Sequence, residues 1–414
     1  MRNSGFLWII IGIMVVLDVY VFQAIKVVAP ASPKLRIGMF ICYWILAAAS
    51  VIILILLPNI NYENWPKAAR TYIFAIIVGL FFSKLVASIF LALDDIRRGS
   101  MWVIEKLFSD PSIKISQASS GITRSTFMSW LGLAIGGGLF GTLMYGFNNK
   151  YRYRLNRISL AFENLPLGFK GLKIIHISDI HSGSFMDKQA VQRGVDKILN
   201  EKADLILFTG DLVNDRYTEM NEYRDVFSKL TAPLGVFSTL GNHDYGDYVR
   251  WENPDAKRAN LDNLKKLHGE LGWRLLMNEH VVLEKDGDSI ALLGIENWSA
   301  KGSFPKYGKM GEAHPGTEKY PFKILMSHDP SHWESEVLMK YKDVDLMLSG
   351  HTHGMQFGVE IPGFKWSPVQ YVYKQWAGLY ESNAQKLYVN RGFGFIGYPG
   401  RVGILPEITV IELA

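Results

Sequence analysis

Four apolar stretches dominate the first third of the chain, at residues 6–25, 37–57, 71–93 and 127–147. Each is close to the ~20 residues a helix needs to cross the hydrocarbon core of a bilayer. The pattern predicts a transmembrane domain of about four helices over residues 1–150. A cleaved signal peptide explains only the first stretch, and no small-residue cleavage site follows it. Gly136-Gly-Gly138 interrupts the fourth, which leaves three spans and an interfacial helix as the alternative. Glycines are tolerated in membrane helices because they allow close helix contact. Asp18 falls inside the first span, where a carboxylate either faces the bundle interior, snorkels, or serves a function.

The pattern changes near Phe162. Short β-branched-rich runs at 172–178, 205–209, 236–240, 290–294, 323–327, 344–349, 386–390 and 407–413 read as strands. Helical periodicity fits 188–200 and 259–271. Many strands with interspersed helices predict two packed sheets flanked by helices over residues 162–414. Residues 151–161 lie between the two regions and read as a basic juxtamembrane linker. The cluster Lys150-Tyr-Arg-Tyr-Arg-Leu-Asn-Arg157 suits a membrane surface.

Charge and composition remove some options. The 44 basic and 39 acidic side chains give a net charge of +5. Outside the 150–157 cluster there is no basic run with interleaved aromatics, so nucleic acid is not an expected partner. The single cysteine, Cys42, lies in an apolar run and excludes both an intrachain disulfide and a thiolate-rich metal site. An even number of spans puts the N-terminus and the C-terminal domain on one side of the membrane. The basic cluster after the last span points to a cytoplasmic C-terminal domain. The charges opposite, including Arg97, Arg98, Lys106 and Lys114 in an expected long loop, nearly cancel that bias.

The chemistry sits at strand ends. Five short motifs each follow an expected strand: Asp179-Ile-His181, Gly210-Asp211, Gly241-Asn-His-Asp244, Ser327-His328 and Gly350-His-Thr-His353. Residues at the carboxyl ends of strands point into a shared crevice. Any one motif reads equally well as a turn or cap, whereas five in this order do not. Carboxylate, imidazole and amide oxygen without thiolate suit Mn, with Fe or Zn as alternatives, better than Ca. A pair of such ions, bridged by a carboxylate, activates a water and clamps both oxygens of an in-line phosphoryl displacement.

With these motifs, residues 172–413 resemble the calcineurin-like metallophosphoesterases. The resemblance implies a four-layer αββα sandwich (α+β class) and two divalent metal ions. It assigns one ion to Asp179, His181, Asp211 and His353. The second falls to Asp211, Asn242, His328 and His351, with Asp211 bridging. It makes His243 a catalytic group near the leaving oxygen. Many members carry an Asp three residues after the bridging Asp; here that position is Asn214, which leaves Asp215 or Asp244 as substitutes. The stretch Asn390-Arg-Gly-Phe-Gly394, Tyr398-Pro-Gly-Arg401 and Pro406-Glu-Ile-Thr409 is similar to membrane-associated bacterial phosphoesterases, some of which hydrolyse UDP-2,3-diacylglucosamine in lipid A synthesis. That likeness implies a multi-pass protein of a bacterial plasma membrane, with the bilayer and a lipid- or nucleotide-linked phosphate as partners; protein partners are not indicated. The alternative is a catalytically silent scaffold or sensor coupled to the membrane helices.

Asn214, Arg391 and Arg401 are candidate substrate contacts, the arginines because a guanidinium matches phosphate oxygens with two donors. Residues 297–322 form a long Gly-, Lys- and Pro-rich segment, a candidate lid. Residues 357–380 are dense in aromatics, suited to headgroup level, to an acyl chain or to ordinary core. His176, His268, His280, His314 and His332 are expected to be structural.

Overall fold

The computed structural model describes residues 4–57, 65–108, 123–302, 304 and 306–414. The chain forms two compact bodies, 1–145 and 146–414. The first is built from helices α1 (Ser4–Val28), α2 (Pro33–Leu56), α3 (Lys67–Phe108) and α4, which runs from Arg124 to the junction at Gly146. All four are long and apolar enough to cross a membrane. Helix α3 differs from the expected 71–93 span. It continues through Asp94, Arg97 and Arg98 as one helix of 42 residues, about 60 Å at 1.5 Å per residue. No proline interrupts this stretch, and i,i+3 pairs support it: Arg97–Asp94 at 2.8 Å and Arg98–Asp95 at 3.6 Å. Arg97, Arg98 and Lys106 are therefore helical rather than in a loop; Arg2 and Lys114 lie outside the described residues.

Asp18 faces the interior of this body. It pairs with Lys84 of α3, and the Tyr43 hydroxyl of α2 donates to the Asp18 carbonyl at 2.7 Å. An intramembrane charge is tolerated when paired in this way, and the pair ties three helices together.

Among the described residues the second body holds fourteen strands: β1 (Arg154–Leu160), β2 (Lys173–Ile177), β3 (Leu205–Phe208), β4 (Val236–Ser238), β5 (Arg274–Leu275), β6 (Glu279–Lys285), β7 (Asp288–Gly294), β8 (Lys323–Met326), β9 (Leu346–Ser349), β10 (Val359–Ile361), β11 (Phe364–Trp366), β12 (Gly378–Ser382), β13 (Gln385–Val389) and β14 (Glu407–Leu413). Two six-stranded sheets have the orders β1-β14-β2-β3-β4-β5 and β12-β13-β9-β8-β7-β6; β10 and β11 form a separate hairpin. Strands β2 to β5 are mutually parallel, as are β7, β8, β9 and β13.

Three apolar layers identify the sandwich. Strand side chains alternate between faces, so in β3 Leu205 and Leu207 enter the layer between the sheets while Ile206 and Phe208 face outward. The inter-sheet layer joins Ile174, Leu207 and Phe237 to Leu292, Ile324 and Leu348. On the outer face of the first sheet lie helices α5 (Lys188–Asn200) and α6 (Pro254–Glu270), with Val195 and Leu264 in contact with it. On the outer face of the second sheet, Leu325 and Met347 pack with Trp333 and Val337. The order is helix, sheet, sheet, helix.

Residues 151–161, expected as a linker, belong to this body. Strand β1 pairs in parallel with β14 over seven positions. Before it, the Tyr151 hydroxyl accepts from Met186 N at 2.8 Å, and buried Tyr153 stacks on Phe393 with centroids 4.4 Å apart. Lys150 is buried and donates to the Phe147 carbonyl at 3.0 Å. The basic composition concealed an edge strand: Arg154 and Arg157 point outward, and charged side chains are a common way to blunt an edge. Tyr153→Ala is therefore expected to cost about 3 kcal/mol through the cavity it leaves. Arg157→Ala, which removes only an exposed pair with Glu201, is expected to cost less than ~1 kcal/mol. Thermal unfolding followed by tryptophan fluorescence separates the two; equal midpoints contradict the placement of Tyr153 in the core.

Candidate metal centre

The parallel strands of both sheets end at one pole, and every motif lies there. Asp179 and His181 follow β2, Asp211 follows β3, Asn242 and His243 follow β4, His328 follows β8, and His351 and His353 follow β9. Sharp backbone reversals turn these side chains inward. Asp179, His181, Asp211, His351 and His353 all have left-handed φ, between 48° and 69°. Such a conformation costs non-glycine residues about 1–2 kcal/mol each, and clusters of it mark functional sites. Backbone bonds stitch the reversals together: Asp179 N donates to Gly210 O at 2.9 Å and His181 N to Asp211 O at 3.1 Å. Two neighbouring glycines clear space for the carboxylates. A Cβ on Gly241 would strike the Asp211 carboxylate, and one on Gly350 the Asp179 carboxylate.

The ligand atoms converge. Asp179, His181 and His353 form one group able to hold an ion, and Asp179, Asp211 and His328 a second. His181 Nε2 lies 3.0 Å from His353 Nε2, and His353 Nε2 lies 3.2 Å from Asp179 Oδ1. Asp211 Oδ2 sits between the two groups, 3.4 Å from His181 Nε2 and 3.2 Å from His328 Nε2. Next to them the Asn242 amide oxygen is 2.8 Å from His351 Nδ1. Its amide nitrogen donates outward to the Tyr248 hydroxyl at 2.8 Å, which fixes the oxygen inward.

These groups fit a pair of divalent ions. Asp179 and Asp211 are fully buried, and among the described residues neither forms an ion pair with Lys or Arg. A buried carboxylate needs a cation or strong hydrogen bonds. Burial would raise both carboxyls, but the imidazoles outweigh it and hold them below the usual range: His353 chiefly for Asp179, His328 and His243 for Asp211. The tautomer of His328 is set from outside the site, as is common for metal-bound histidine. His328 Nδ1–H donates to the Thr209 carbonyl at 2.7 Å, which leaves Nε2 for the centre. On the far side of His351, Nε2 lies 2.9 Å from the Tyr373 hydroxyl and 3.4 Å from Asp329 Oδ2. Asp329 directly follows His328, Tyr373 lies in the aromatic-dense 357–380 segment, and nothing local marks Tyr248.

The three candidate substrate contacts are placed otherwise than expected. Arg391 pairs with Glu407 at 2.6 Å and Glu360 at 2.5 Å. Arg401 is fully buried and donates to the carbonyls of Arg391 (2.7 Å), His353 (3.1 Å) and Gly394. Neither lines the cleft; their terminal guanidinium nitrogens are engaged by protein acceptors. The Asn214 amide turns to Ser184 Oγ at 3.1 Å, while its backbone carbonyl accepts from His243 Nδ1 at 2.8 Å. A carbonyl thus orients His243 where a carboxylate was sought. Asp244 is not a substitute: it accepts the backbone N–H groups of Gly241, Asp211, Leu212 and Val213. Asp215 is half-buried, and burial pushes its carboxyl up to about 6.

The cleft over the centre has a volume of about 230 Å³. Its walls include His243, His181, Asp211, His351, His353 and the apolar side chains of Phe304, Val369 and Ile396. Phe304 meets the His351 ring edge-on at 4.9 Å, so the expected lid segment does reach the site. Much of its remainder packs on the sandwich: Met310 and Ala313 are buried in the outer layer of the second sheet.

Sequence comparisons agree with this geometry. Residues 1–150 match the family described as probable calcineurin-like phosphoesterase, transmembrane domain, and residues 172–355 match calcineurin-like phosphoesterase. An uncharacterized metallophosphoesterase of Bacillus subtilis, YkuE, is 31% identical over 255 residues, covering 60% of this chain and 81% of that protein. Phosphodiesterase YaeI of Escherichia coli is 28% identical over 246 residues, 58% of this chain and 82% of its own. A transmembrane protein with metallophosphoesterase domain from Danio rerio is 29% identical over 263 residues, 62% of this chain; the match spans 56% of that longer protein. The chain belongs to the calcineurin-like metallophosphoesterases, a class of metal-dependent phosphoester hydrolases. Within it, this chain carries an N-terminal four-helix membrane domain.

Burial opposes a charge on His328, but Asp211 beside it raises its pKa to about 10. In the metal-free chain His328 is therefore protonated at neutral pH, and a cation must displace that proton. Affinity for Mn²⁺ should rise with pH up to that value. Calorimetry at pH 8 in buffers of different ionisation enthalpy should show about one proton fewer released by His328→Gln than by the parent. Equal release contradicts the role of this imidazole.

Proposed function

We propose that this protein is a membrane-anchored, dinuclear-metal phosphohydrolase. The observation that supports the reading is the convergence of Asp179, His181, Asp211, His328 and His353 at one buried point, with Asn242 and His351 paired beside them and, among the described residues, no lysine or arginine ion-paired to the carboxylates. We assign the first ion to Asp179, His181, Asp211 and His353, and the second to Asp211, Asn242, His328 and His351. Divalent ions there, Mn in our reading with Fe or Zn as alternatives, supply a water of lowered pKa and a clamp on the phosphoryl oxygens.

The chain's own contribution centres on His243. Its Nδ1–H is committed to the Asn214 carbonyl, so Nε2 is free to face the cleft. Protonated on both ring nitrogens, it would donate from there to the leaving oxygen or to a phosphoryl oxygen carrying developing charge. Phe304, Val369 and Ile396 exclude water from one side of the reacting group. The membrane domain and the apolar wall favour a lipid- or nucleotide-linked phosphoester or pyrophosphate. UDP-2,3-diacylglucosamine is the best named candidate, with the catalytic domain on the cytoplasmic side of a bacterial plasma membrane.

Purified full-length protein with Mn²⁺ is expected to hydrolyse bis(p-nitrophenyl) phosphate. Asp211→Asn should lose both bound metal and turnover. His243→Ala should keep its metal, measured by elemental analysis, and lose about 10²–10⁴ in kcat. Unchanged turnover in Asp211→Asn contradicts the site, and a metal-free chain inert to every phosphoester favours a silent scaffold. Lipid and nucleotide profiles of cells lacking the protein name the substrate by what accumulates.

A further inference from the structure

The β10–β11 hairpin is inverted with respect to water. Its register sets Val359 opposite Trp366, Glu360 opposite Lys365 and Ile361 opposite Phe364. Side chains alternate across a strand, so one face is Val359, Trp366, Ile361 and Phe364, and the other is Glu360 and Lys365. The charged ends of the polar face bind the protein, although Lys365 itself stays exposed. Glu360 accepts from Arg391 at 2.5 Å, while Lys365 donates to the Ala377 carbonyl at 2.5 Å and lies 5.5 Å from the centre of the Trp376 ring. The apolar face is turned outward: Val359 is 43%, Ile361 58% and Phe364 53% exposed. A hairpin on a water-soluble surface buries its apolar face and solvates its polar one. Here specific ion pairs hold the hairpin the other way out. Exposed Tyr371 adjoins this face, its hydroxyl 3.5 Å from Trp366 Nε1, and Met355 and Val372 are exposed as well.

Two features locate this surface. The first is the end of the fourth apolar segment, which runs to Asn149. Its last residues belong to the second body and are tied to Arg401: Arg401 N donates to Gly146 O at 3.0 Å, and Asn149 Nδ2 donates to Arg401 O at 3.1 Å. The next residue, Val402, bonds the segment that leads into the hairpin, with Val402 N to Gln356 O at 2.8 Å and Gly358 N to Val402 O at 2.9 Å. The hairpin thus begins one residue beyond a direct partner of the loop that grips the membrane-exit residues. Exposed Arg152 and Arg154 follow that exit, and Arg154 lies 3.9 Å from Glu360. The second feature is the cleft: Val369 and Tyr373 line it and bracket Tyr371 and Val372.

We propose that the outer face of the hairpin, with Tyr371 and Val372, docks on the lipid surface that the fourth apolar segment leaves. Apolar side chains enter the headgroup region, aromatic ones with a polar edge sit at its boundary, and basic residues nearby favour anionic lipid. The cleft mouth is thereby held at headgroup level, and its substrate is a phosphoester carried by a lipid within that leaflet. The substrate half of this proposal rests on the hydrolase reading above; the docking half does not.

The test uses full-length protein in nanodiscs of phosphatidylethanolamine and phosphatidylglycerol. With Cys42→Ser as background, a polarity-sensitive fluorophore is placed by Phe364→Cys or by Leu167→Cys. Leu167 is more exposed, at 79%, but it lies beside the β6–β7 turn, at the opposite ends of the strands from the cleft. The label at 364 should be blue-shifted, shielded from iodide, and quenched by lipid bearing a nitroxide high on its acyl chain about threefold more than the label at 167. Equal lipid quenching at the two positions overturns the docking. Shielding from iodide without lipid quenching also overturns it and marks a protein partner, such as a second copy. In the activity arm, Ile361→Asp combined with Phe364→Asp should leave hydrolysis of bis(p-nitrophenyl) phosphate unchanged. The same pair should lower kcat/KM on a bilayer-borne p-nitrophenyl phospholipid ester about tenfold. Unchanged rates on the bilayer-borne ester overturn the substrate half. If the parent hydrolyses neither ester, the hydrolase reading fails, while the fluorophores still decide the docking.

Discussion

Asp179 and Asp211 are buried carboxylates that form no ion pair with a lysine or arginine among the described residues, and much of the surrounding architecture follows from keeping them ionised. A charge in so dry a place is costly unless it is paired or coordinated. The two sheets end at the same pole and bring four imidazoles within reach. Those ends reverse through left-handed residues, a local cost repeated at five positions. Gly241 and Gly350 are held to hydrogen by the carboxylates themselves, since a methyl group at either position would occupy the space of an oxygen. Asp244 serves the same end from behind: it gathers four backbone N–H groups and so fixes the turns after β3 and β4. Stability is given up locally to assemble a constellation of donors that suits divalent cations.

Arg401 illustrates how a residue type can mislead about its role. A guanidinium followed by glycine-rich sequence suggests an anion contact, yet every donor with a partner serves backbone carbonyls or the His353 ring. Its side chain fixes the loop that presents His353, and its main chain holds Gly146 and Asn149. One buried residue therefore joins a metal-binding loop to the residues where the chain enters the second body. Arg391 is likewise structural, tying Glu360 of the hairpin to Glu407 in the sheet. Breaking such a buried pair leaves an uncompensated charge, so the outward-facing apolar hairpin is fixed by strong interactions rather than resting loosely on the surface.

The strands that carry the ligands were legible because each is a short, mostly apolar run, buried on both faces and followed by a polar motif. The same property explains the omissions. Strands β1 and β6 sit at sheet edges, where one face meets water, and their charged residues imitate a linker or a loop. The third membrane helix was read too short because hydropathy ends at Leu93, whereas helix propensity and i,i+3 charge pairs continue beyond it.

By itself the sequence determined the metal-binding chemistry, the four apolar spans and the sandwich class, because ligand type, run length and side-chain period are local properties of a chain. Tertiary structure alone decided which polar groups reach the cleft. Asn214 acts through its carbonyl, Arg391 and Arg401 are engaged by buried partners, and Asp329, Tyr373 and Tyr248 back His351 and Asn242 from positions outside the five motifs. Those assignments depend on which acceptor each donor meets first in a crowded interior, and the partners lie 6 to 48 residues away along the chain.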